Sequence, residues 1–257
     1  MKIPNLVALV SGGASGLGAG VARRLARNGA RIVIADLNGD AAKAMASELG
    51  PSSAVYCAAD CTSEADVTAA LDLAQKTFGD HVGVCVHTAG TLHAGKIVNK
   101  KGVAHSMEAF ERVIRVNVLG SFNVARLAAE RMAQRAPDEK GERGVIVQTA
   151  SIAAFDGQAG QIAYSASKGA LVGMTLPMAR DLAPLGIRVA TIAPGVFETP
   201  MMAAAPDSVR ESLFAQIPFP SRFGDPDEFA AFAEHIVENT YINGETIRLD
   251  GAVRMGA

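Results

Sequence analysis

The run LVALVSGGASGLGAGVARRLARNG, residues 6–29, constrains this chain more than any other stretch. It opens with a short apolar run rich in β-formers, breaks at a glycine-rich turn, and resumes with apolar residues at helical spacing. Gly12, Gly16 and Gly18 are spaced G-x-x-x-G-x-G. Glycine permits a tight turn and a close backbone approach, and a helix starting there aims its N-terminus at whatever lies above it. The alternation then continues to the end of the chain. Further strands are predicted at 31–35, 54–57, 82–86, 145–149, 188–192 and 246–249, after a first at 6–10. Helices are predicted at 17–28, 40–49, 64–78, 107–135, 159–182 and 226–237. Continuous apolar runs such as RIVIA and GVIVQ suit strands buried on both faces of a parallel sheet. The expected fold is therefore α/β: a doubly wound parallel seven-stranded sheet with right-handed crossovers and helices on both faces. The 257 residues suit one such domain spanning 1–257, and no composition shift or repeat divides it.

Several classes of function are disfavoured at once. The chain has 24 basic and 26 acidic residues, so nothing attracts it electrostatically to nucleic acid or an anionic membrane. Its apolar runs are strand-sized, well short of the roughly 20 residues that span a bilayer. The first strand begins almost immediately after Met1, which leaves no room for a leader, so a cytoplasmic location is expected. Cys57, Cys61 and Cys85 fall near strand ends and read as small buried hydrophobes in a reducing compartment. No metal is expected, because Cys57 and Cys61 have no matching ligand pair and the five histidines form no ligand motif.

Two irregular stretches, 91–106 and 194–207, follow strands. Both should lie at the carboxyl edge of the sheet, where ligands bind in such folds. The glycine turn sits at the same edge and suits a pyrophosphate, with Ser11 and Ser15 adding hydroxyl donors. Asp36 ends the second strand. A carboxylate there accepts from both adenosine ribose hydroxyls and repels a 2′-phosphate, and no arginine at Ala14 or Leu37 welcomes that phosphate. NAD(H), not NADP(H), is the predicted cofactor. Asp60 ends the third strand and should face the adenine edge together with the backbone of Cys61; capping of the next helix by Thr62 or Ser63 is the other reading of this polar cluster.

The run VIVQTASIAAFDGQAGQIAYSASKGA places Ser151 just past a strand, Tyr164 inside the next helix and Lys168 four residues on. Upstream, Asn117 lies in the middle of a long predicted helix, an unusual place for a residue that competes for backbone hydrogen bonds. VHTAG, 86–90, closes the fourth strand, and IAPGVFETPM, 192–201, follows the sixth. With these motifs in this order, the whole chain resembles the short-chain dehydrogenase/reductase family and its Rossmann-type fold. The resemblance implies a catalytic tetrad of Asn117, Ser151, Tyr164 and Lys168. It further implies a cofactor site drawn from Gly12, Ser15, Gly16, Leu17, Gly18, Asp36, Asp60, Cys61, Thr88, Ala89, Gly90, Tyr164, Lys168, Pro194, Gly195, Phe197 and Thr199. The stretches from Phe155 to Met202, 218–230 and 242–255, with the insertion 90–110, look like the type II 3-hydroxyacyl-CoA dehydrogenase subgroup in a bacterial form. That subgroup's mitochondrial members also oxidise hydroxysteroids. The chain departs from the family at His87 and Thr88, where asparagines are usual, and at Ser11, where threonine is usual.

The resemblance implies NAD-dependent oxidation of 3-hydroxyacyl-CoA to 3-oxoacyl-CoA, with a homotetramer as the usual assembly. A hydroxysteroid or another secondary alcohol is the alternative substrate. A nucleotide-binding scaffold subunit with incidental activity is the non-enzymatic alternative. The substrate cleft is expected from 91–106, 151–164 and 194–220, with Ser151, Gln158 and Gln161 against the substrate and Phe155 nearby. Lys96, Lys100 and Lys101 would face the phosphates of coenzyme A. The chemistry requires a proton acceptor on the alcohol oxygen. Tyrosine has an ordinary pKa near 10, and a lysine at i+4 shares its helix face. One positive charge about 4 Å away, at an effective dielectric near 20, is worth roughly 4 kcal/mol or about three pKa units. Lys168 would thereby make Tyr164 a base near neutral pH and would hold the nicotinamide ribose. Ser151 would bind the substrate oxygen. Asn117 would position a water leading from Lys168 to solvent.

Overall fold

A computed structural model describes residues 1–256; of the predicted domain only Ala257 lies outside the described residues. Seven parallel strands, β1 (Val7–Ser11), β2 (Arg31–Asp36), β3 (Ala54–Ala58), β4 (Val84–His87), β5 (Gly144–Thr149), β6 (Ile187–Pro194) and β7 (Thr246–Leu249), form one sheet in the order β3-β2-β1-β4-β5-β6-β7. Strands β1, β4 and β5 are buried along their whole length. That burial is why these segments read as unbroken apolar runs rather than alternating ones.

Each face of the sheet has its own core. One is built from the side chains of α1 (Gly16–Arg27), α2 (Gly39–Leu49) and α9 (Pro226–Glu238) against Ala8, Val10, Ile32 and Ile34. The other packs α3 (Glu64–Phe78), α5 (Ser121–Ala133) and part of α6 (Ile162–Leu182) on Leu9, Val33, Cys85 and Ile146. Side chains alternate along a strand, so neighbouring residues of β1 serve opposite cores. Arg188 fastens β6 to the end of α9. Its guanidinium pairs with Glu142 at 2.6 Å and donates to the carbonyls of Ile236, Val237 and Ile242. The helix end leaves the Ile236 and Val237 carbonyls without intrahelical partners, and a cation there also suits the helix dipole.

The sequence reading differs from the structure at three places. The predicted helix 107–135 is α4 (Met107–Ile114), a π-helical turn (Arg115–Gly120) and α5 in succession. The stretch 194–207 is less irregular than expected. It contains the short α7 (Pro200–Ala203) and leads into α8 (Asp207–Phe214), which the sequence reading missed because its apolar spacing is sparse. The loop 91–106 is pinched by an antiparallel bridge between Val98 and Ala104, and Asn99 turns it by accepting from the Lys101 and Val103 amides.

Phe229 is fully buried and meets Phe197 edge-on at 6.2 Å between ring centres. Truncating a buried phenylalanine costs about 3–5 kcal/mol through lost transfer and the cavity left behind. Phe229→Ala is therefore expected to lower stability by that amount, read as a fall in the urea midpoint with the slope unchanged.

Candidate active site

The carboxyl ends of β1, β4, β5 and β6 bring the candidate residues to one edge of the sheet. At β1 the chain turns through Gly12, whose φ of +75° suits glycine, and α1 starts at Gly16. A Cβ on Gly12 would lie 2.6 Å from the Ala89 amide nitrogen, and one on Gly18 would collide with the Gly12 carbonyl. The turn is thus closed against the end of β4 and can be made only without side chains. Thr88 locks the junction by donating its hydroxyl to the Ser11 and Gly12 carbonyls at 3.0 and 3.1 Å. Ser15 stands at the start of α1, exposed and making no side-chain cap bond, so its hydroxyl is free to reach an anion above the helix. Leu17 is partly buried beside it.

Asp36 ends β2 with one carboxylate oxygen accepting from the Ala14 amide at 3.1 Å and the other from Asn38 at 3.0 Å. It therefore also pins the glycine turn. Each carboxylate oxygen keeps acceptor capacity for a hydroxyl. Asp60 accepts from the Thr62 amide at 2.8 Å, and the Cys61 carbonyl is held by Asn123 at 2.9 Å. These groups fit the adenosine and pyrophosphate part of a dinucleotide: a side-chain-free turn, a helix N-terminus and a carboxylate at the next strand end. Pro194 and Gly195 leave β6 facing Asp250, and Thr199 caps α7 by accepting from the Met202 amide. Phe197 points its ring into the core against Phe229, so only its backbone borders the edge.

Asn117 lies inside the π-helical turn. Its side chain leaves the helix altogether, accepting from the Thr91 amide at 2.8 Å and donating to the Thr91 carbonyl and the Ser167 hydroxyl, both at 2.9 Å. Ser121 in turn donates its hydroxyl to the Asn117 carbonyl. The amide is therefore a brace between the start of the 91–106 loop and α6. The sequence reading gave it a water to position; both N–H donors are engaged by protein, and the side-chain oxygen, which accepts one bond, keeps a second lone pair.

Ser151, buried just past β5, accepts from the Ala153 amide at 3.1 Å and faces the Tyr164 phenol. Lys168, almost wholly buried, donates to the Thr149 carbonyl at 2.8 Å and lies 5.7 Å from the centre of the Tyr164 ring. A Cβ on Gly90 would sit 3.3 Å from the Asn117 side-chain oxygen and 3.5 Å from the Lys168 nitrogen, so these groups crowd one point. The electrostatics differ from the sequence expectation. Burial raises the Tyr164 pKa, and the Ser151 hydroxyl opposes the shift. Burial also pushes Lys168 down to about 8. Desolvation outweighs the lysine's charge, because the phenol and the ammonium are both removed from water.

Gln161 turns its side-chain oxygen back onto the Gln158 amide at 2.9 Å, and Gln158 donates to the Gly256 carbonyl at 3.2 Å. Gln161 is thus tied into its own loop, and Gln158 to the C-terminal segment. A cavity of about 420 Å³ beside them is lined by Gly95, Ile97, Ala153, Phe155, Gly160 and Ser165, among others. The 91–106 loop is joined to its rim by the Gly95 amide, which donates to Gly160 at 2.8 Å. Lys96, Lys100 and Lys101 are exposed. Sequence reasoning missed the C-terminal segment. Arg248 binds Asp156 at 2.5 Å and Asp250 at 2.7 Å, and stands 5.3 Å from the Phe155 ring. Its alternating charges gave no motif. No group of metal-ligating side chains occurs among the described residues.

A side-chain-free turn, a strand-end carboxylate and a serine–tyrosine–lysine group on one sheet edge define a nucleotide-dependent dehydrogenase site. Residues 6–209 match the family described as short chain dehydrogenase, and the chain belongs to that family. It is 57% identical over 255 residues to the 3-hydroxyacyl-CoA dehydrogenase type-2 of Bos taurus, covering 99% of this chain and 97% of the relative. The crystal structure of 3-hydroxyacyl-CoA dehydrogenase type-2 from Mycobacterium avium superposes with a TM-score of 0.93 at 44% identity, covering 100% of this chain and 99% of that one. The 3-ketoacyl-(acyl-carrier-protein) reductase from Brucella melitensis, complexed with NADH, gives a TM-score of 0.87 at 32% identity, covering 98% and 100%.

Removing the Asn117 amide leaves the Thr91 amide and carbonyl without their partners, while the Ser167 hydroxyl keeps only its bond to the Tyr164 carbonyl. Each unsatisfied buried group costs about 1–3 kcal/mol. Asn117→Ala is expected to destabilise the fold by at least that much and to speed hydrogen exchange at the Thr91 amide, whereas amides in β2 keep their protection.

Proposed function

We propose that this chain is an NAD-dependent dehydrogenase that oxidises 3-hydroxyacyl-CoA to 3-oxoacyl-CoA, reversibly. The observation that carries the reaction type is the convergence of Ser151, Tyr164 and Lys168 beside the glycine turn. The substrate follows from similarity over nearly the full length to relatives named for it. The cofactor follows from Asp36 and from the NADH-bound neighbour. The alternative, a hydroxysteroid or another secondary alcohol, uses the same residues and is favoured by no separate observation.

When bound, NAD supplies the acceptor for the hydride pair that leaves the carbinol carbon. Tyr164 takes the proton from the alcohol oxygen. Ser151 donates a hydrogen bond to that oxygen as charge develops on it, which is where a fixed donor is most effective. Lys168, fixed by the Thr149 carbonyl, keeps two N–H donors for the nicotinamide ribose and for water. Its charge favours the tyrosinate, and the cofactor's own positive charge adds to it during oxidation. Asn117 holds the loop and α6 in register and positions the water that leads from Lys168 to solvent. Gly12, Ser15, Gly16, Leu17 and Gly18 hold the pyrophosphate, Asp36 the adenosine ribose, and Asp60 with Cys61 the adenine edge. Thr88, Ala89 and Gly90, with Pro194, Gly195, Phe197 and Thr199, border the nicotinamide half. The substrate lies between 91–106, 151–164 and 194–220, with its acyl part against the 420 Å³ cavity and Gln158 and Gln161 at the rim. The exposed lysines at 96, 100 and 101 suit the phosphates of coenzyme A.

A homotetramer fits the exposed apolar residues on the outer helices, Leu119 in the π turn, Phe122 on α5, and Ile162 and Leu176 on α6. No helix among the described residues is long and apolar enough to cross a membrane. Three free thiols suit a reducing compartment, and we place the enzyme in the cytoplasm.

Tyr164→Phe removes the proton acceptor and little else. It is expected to lower kcat on acetoacetyl-CoA with NADH by about 100-fold or more while NADH binding stays within a few-fold. A variant keeping a tenth of the wild-type kcat would overturn the assignment. Asp36→Ala loses charged hydrogen bonds to the ribose and the repulsion of a 2′-phosphate. NADH affinity should fall about tenfold and the gap to NADPH should narrow, as measured by fluorescence titration with each cofactor.

A further inference from the structure

The sheet carries a transverse row of polar residues that the proposed reaction does not use. Ser11, His87, Gln148 and Thr191 are register partners across β1, β4, β5 and β6. Each lies two residues beyond a member of the α5-side core, namely Leu9, Cys85, Ile146 and Val189, so all four side chains share that face. The row therefore runs beneath α5, the π turn and α6. Thr191 is satisfied by Thr175 of α6, with the hydroxyl oxygens 2.6 Å apart. His87 and Gln148 are not satisfied. His87 is 2% exposed and Gln148 is wholly buried, yet neither imidazole nitrogen and neither end of the amide has a protein partner. Four polar atoms on two adjacent side chains are thus left without protein partners in the middle of the fold. Buried polar atoms left so are costly, and in folded proteins such groups are ordinarily bridged by water that makes about two to four hydrogen bonds.

We propose that His87 and Gln148 form a buried water-binding site behind Lys168, and that the water held there positions and solvates the Lys168 ammonium. The site rests on the dehydrogenase reading above. A neutral imidazole has one N–H donor and one acceptor nitrogen, and an amide offers both kinds of group. Together they can bind a water in the orientation that accepts from an ammonium. Burial and the nearby Lys168 charge keep His87 neutral, with its pKa down at about 3. It therefore contributes a dipole rather than a second cation. The titratable groups that face Lys168 are Tyr164 on its own helix and His87 on β4. The β5 strand offers the Thr149 carbonyl and the π turn offers Asn117, neither of which ionises, and no carboxylate pairs with Lys168 among the described residues. The polar pair is then what offsets the burial of the charge from the sheet side. His87 acts through Lys168 and is a positioning residue.

The test is the alkaline limb of NADH binding, followed by fluorescence from pH 6 to 10. As pH rises through the Lys168 pKa the ammonium is lost and affinity falls. Replacing the pair by apolar groups, His87→Leu/Gln148→Leu, desolvates the ammonium further, lowers that pKa and should move the limb down by about one pH unit. Affinity at pH 6 should change less than about twofold. His87→Asn restores a donor and an acceptor and should return the limb to its wild-type position. A limb that stays in place in the double variant overturns the proposal. So does a crystal structure of the unaltered NADH complex, at a resolution showing ordered water, in which His87 and Gln148 bond each other directly with no water between them. Bridging density within hydrogen-bond distance of both supports the proposal even if the double variant does not fold. The underlying reading fails separately: Lys168→Ala with unaltered NADH binding at neutral pH would remove Lys168 from the cofactor site and leave the water site to the crystal structure.

Discussion

All seven strands run the same way, and this single constraint organises everything else. A parallel strand cannot return by a hairpin, so each connection must cross a face of the sheet, and each strand ends at the same edge. Because β1 lies between β2 and β4, the crossover after β1 covers one face and the chain after β4 covers the other. Between those two departures the edge opens, and a ligand can enter without unpairing a strand. The glycine turn sits on one lip of this opening, and Gly90 and Asn117 sit on the other. The serine and lysine come from the next strand and helix along. The chemistry is placed by topology, and the side chains only tune it.

The fold was legible because strands buried on both faces must be apolar throughout, while their connecting helices keep a polar side. That contrast survives in a single sequence. The segments that escaped were those whose conformation is set by one side chain. Asn117 was visible as an anomaly inside a helical pattern. That its amide would reach out to Thr91 required the loop to be in place. Helix α8 escaped because it buries little more than Leu213, so its apolar spacing is faint. The site was legible in residue types, since Ser151, Tyr164 and Lys168 fall at fixed spacing. Its electrostatics were not. A charge–charge argument needs only a distance, whereas desolvation depends on everything that excludes water, and here burial dominates at both Tyr164 and Lys168.

His87 and Gln148 illustrate the same limit from another side. They lie about 60 residues apart in sequence, and only the strand register makes them neighbours. Read alone, His87 was a departure from a familiar motif and Gln148 was part of a strand. Their pairing is a property of the sheet.

The π-helical turn has a consequence for how the segment from 107 to 133 tolerates change. It carries one residue more per turn than an α-helix, and each residue in an α-helix advances the face by about 100°. A deletion of one codon between Arg115 and Gly120 would let the turn relax to ordinary helix, and the residue lost would offset the wider winding, so the side chains from Ser121 to Ala133 would keep their face. The same deletion inside α5 has no such reserve. Every side chain beyond it would arrive rotated by about 100°, presenting charged Arg126 and Glu130 where the core now receives Ala125 and Ala129. The π turn is therefore the one place along this segment where the chain can shorten by a residue without resetting the phase of the packing downstream.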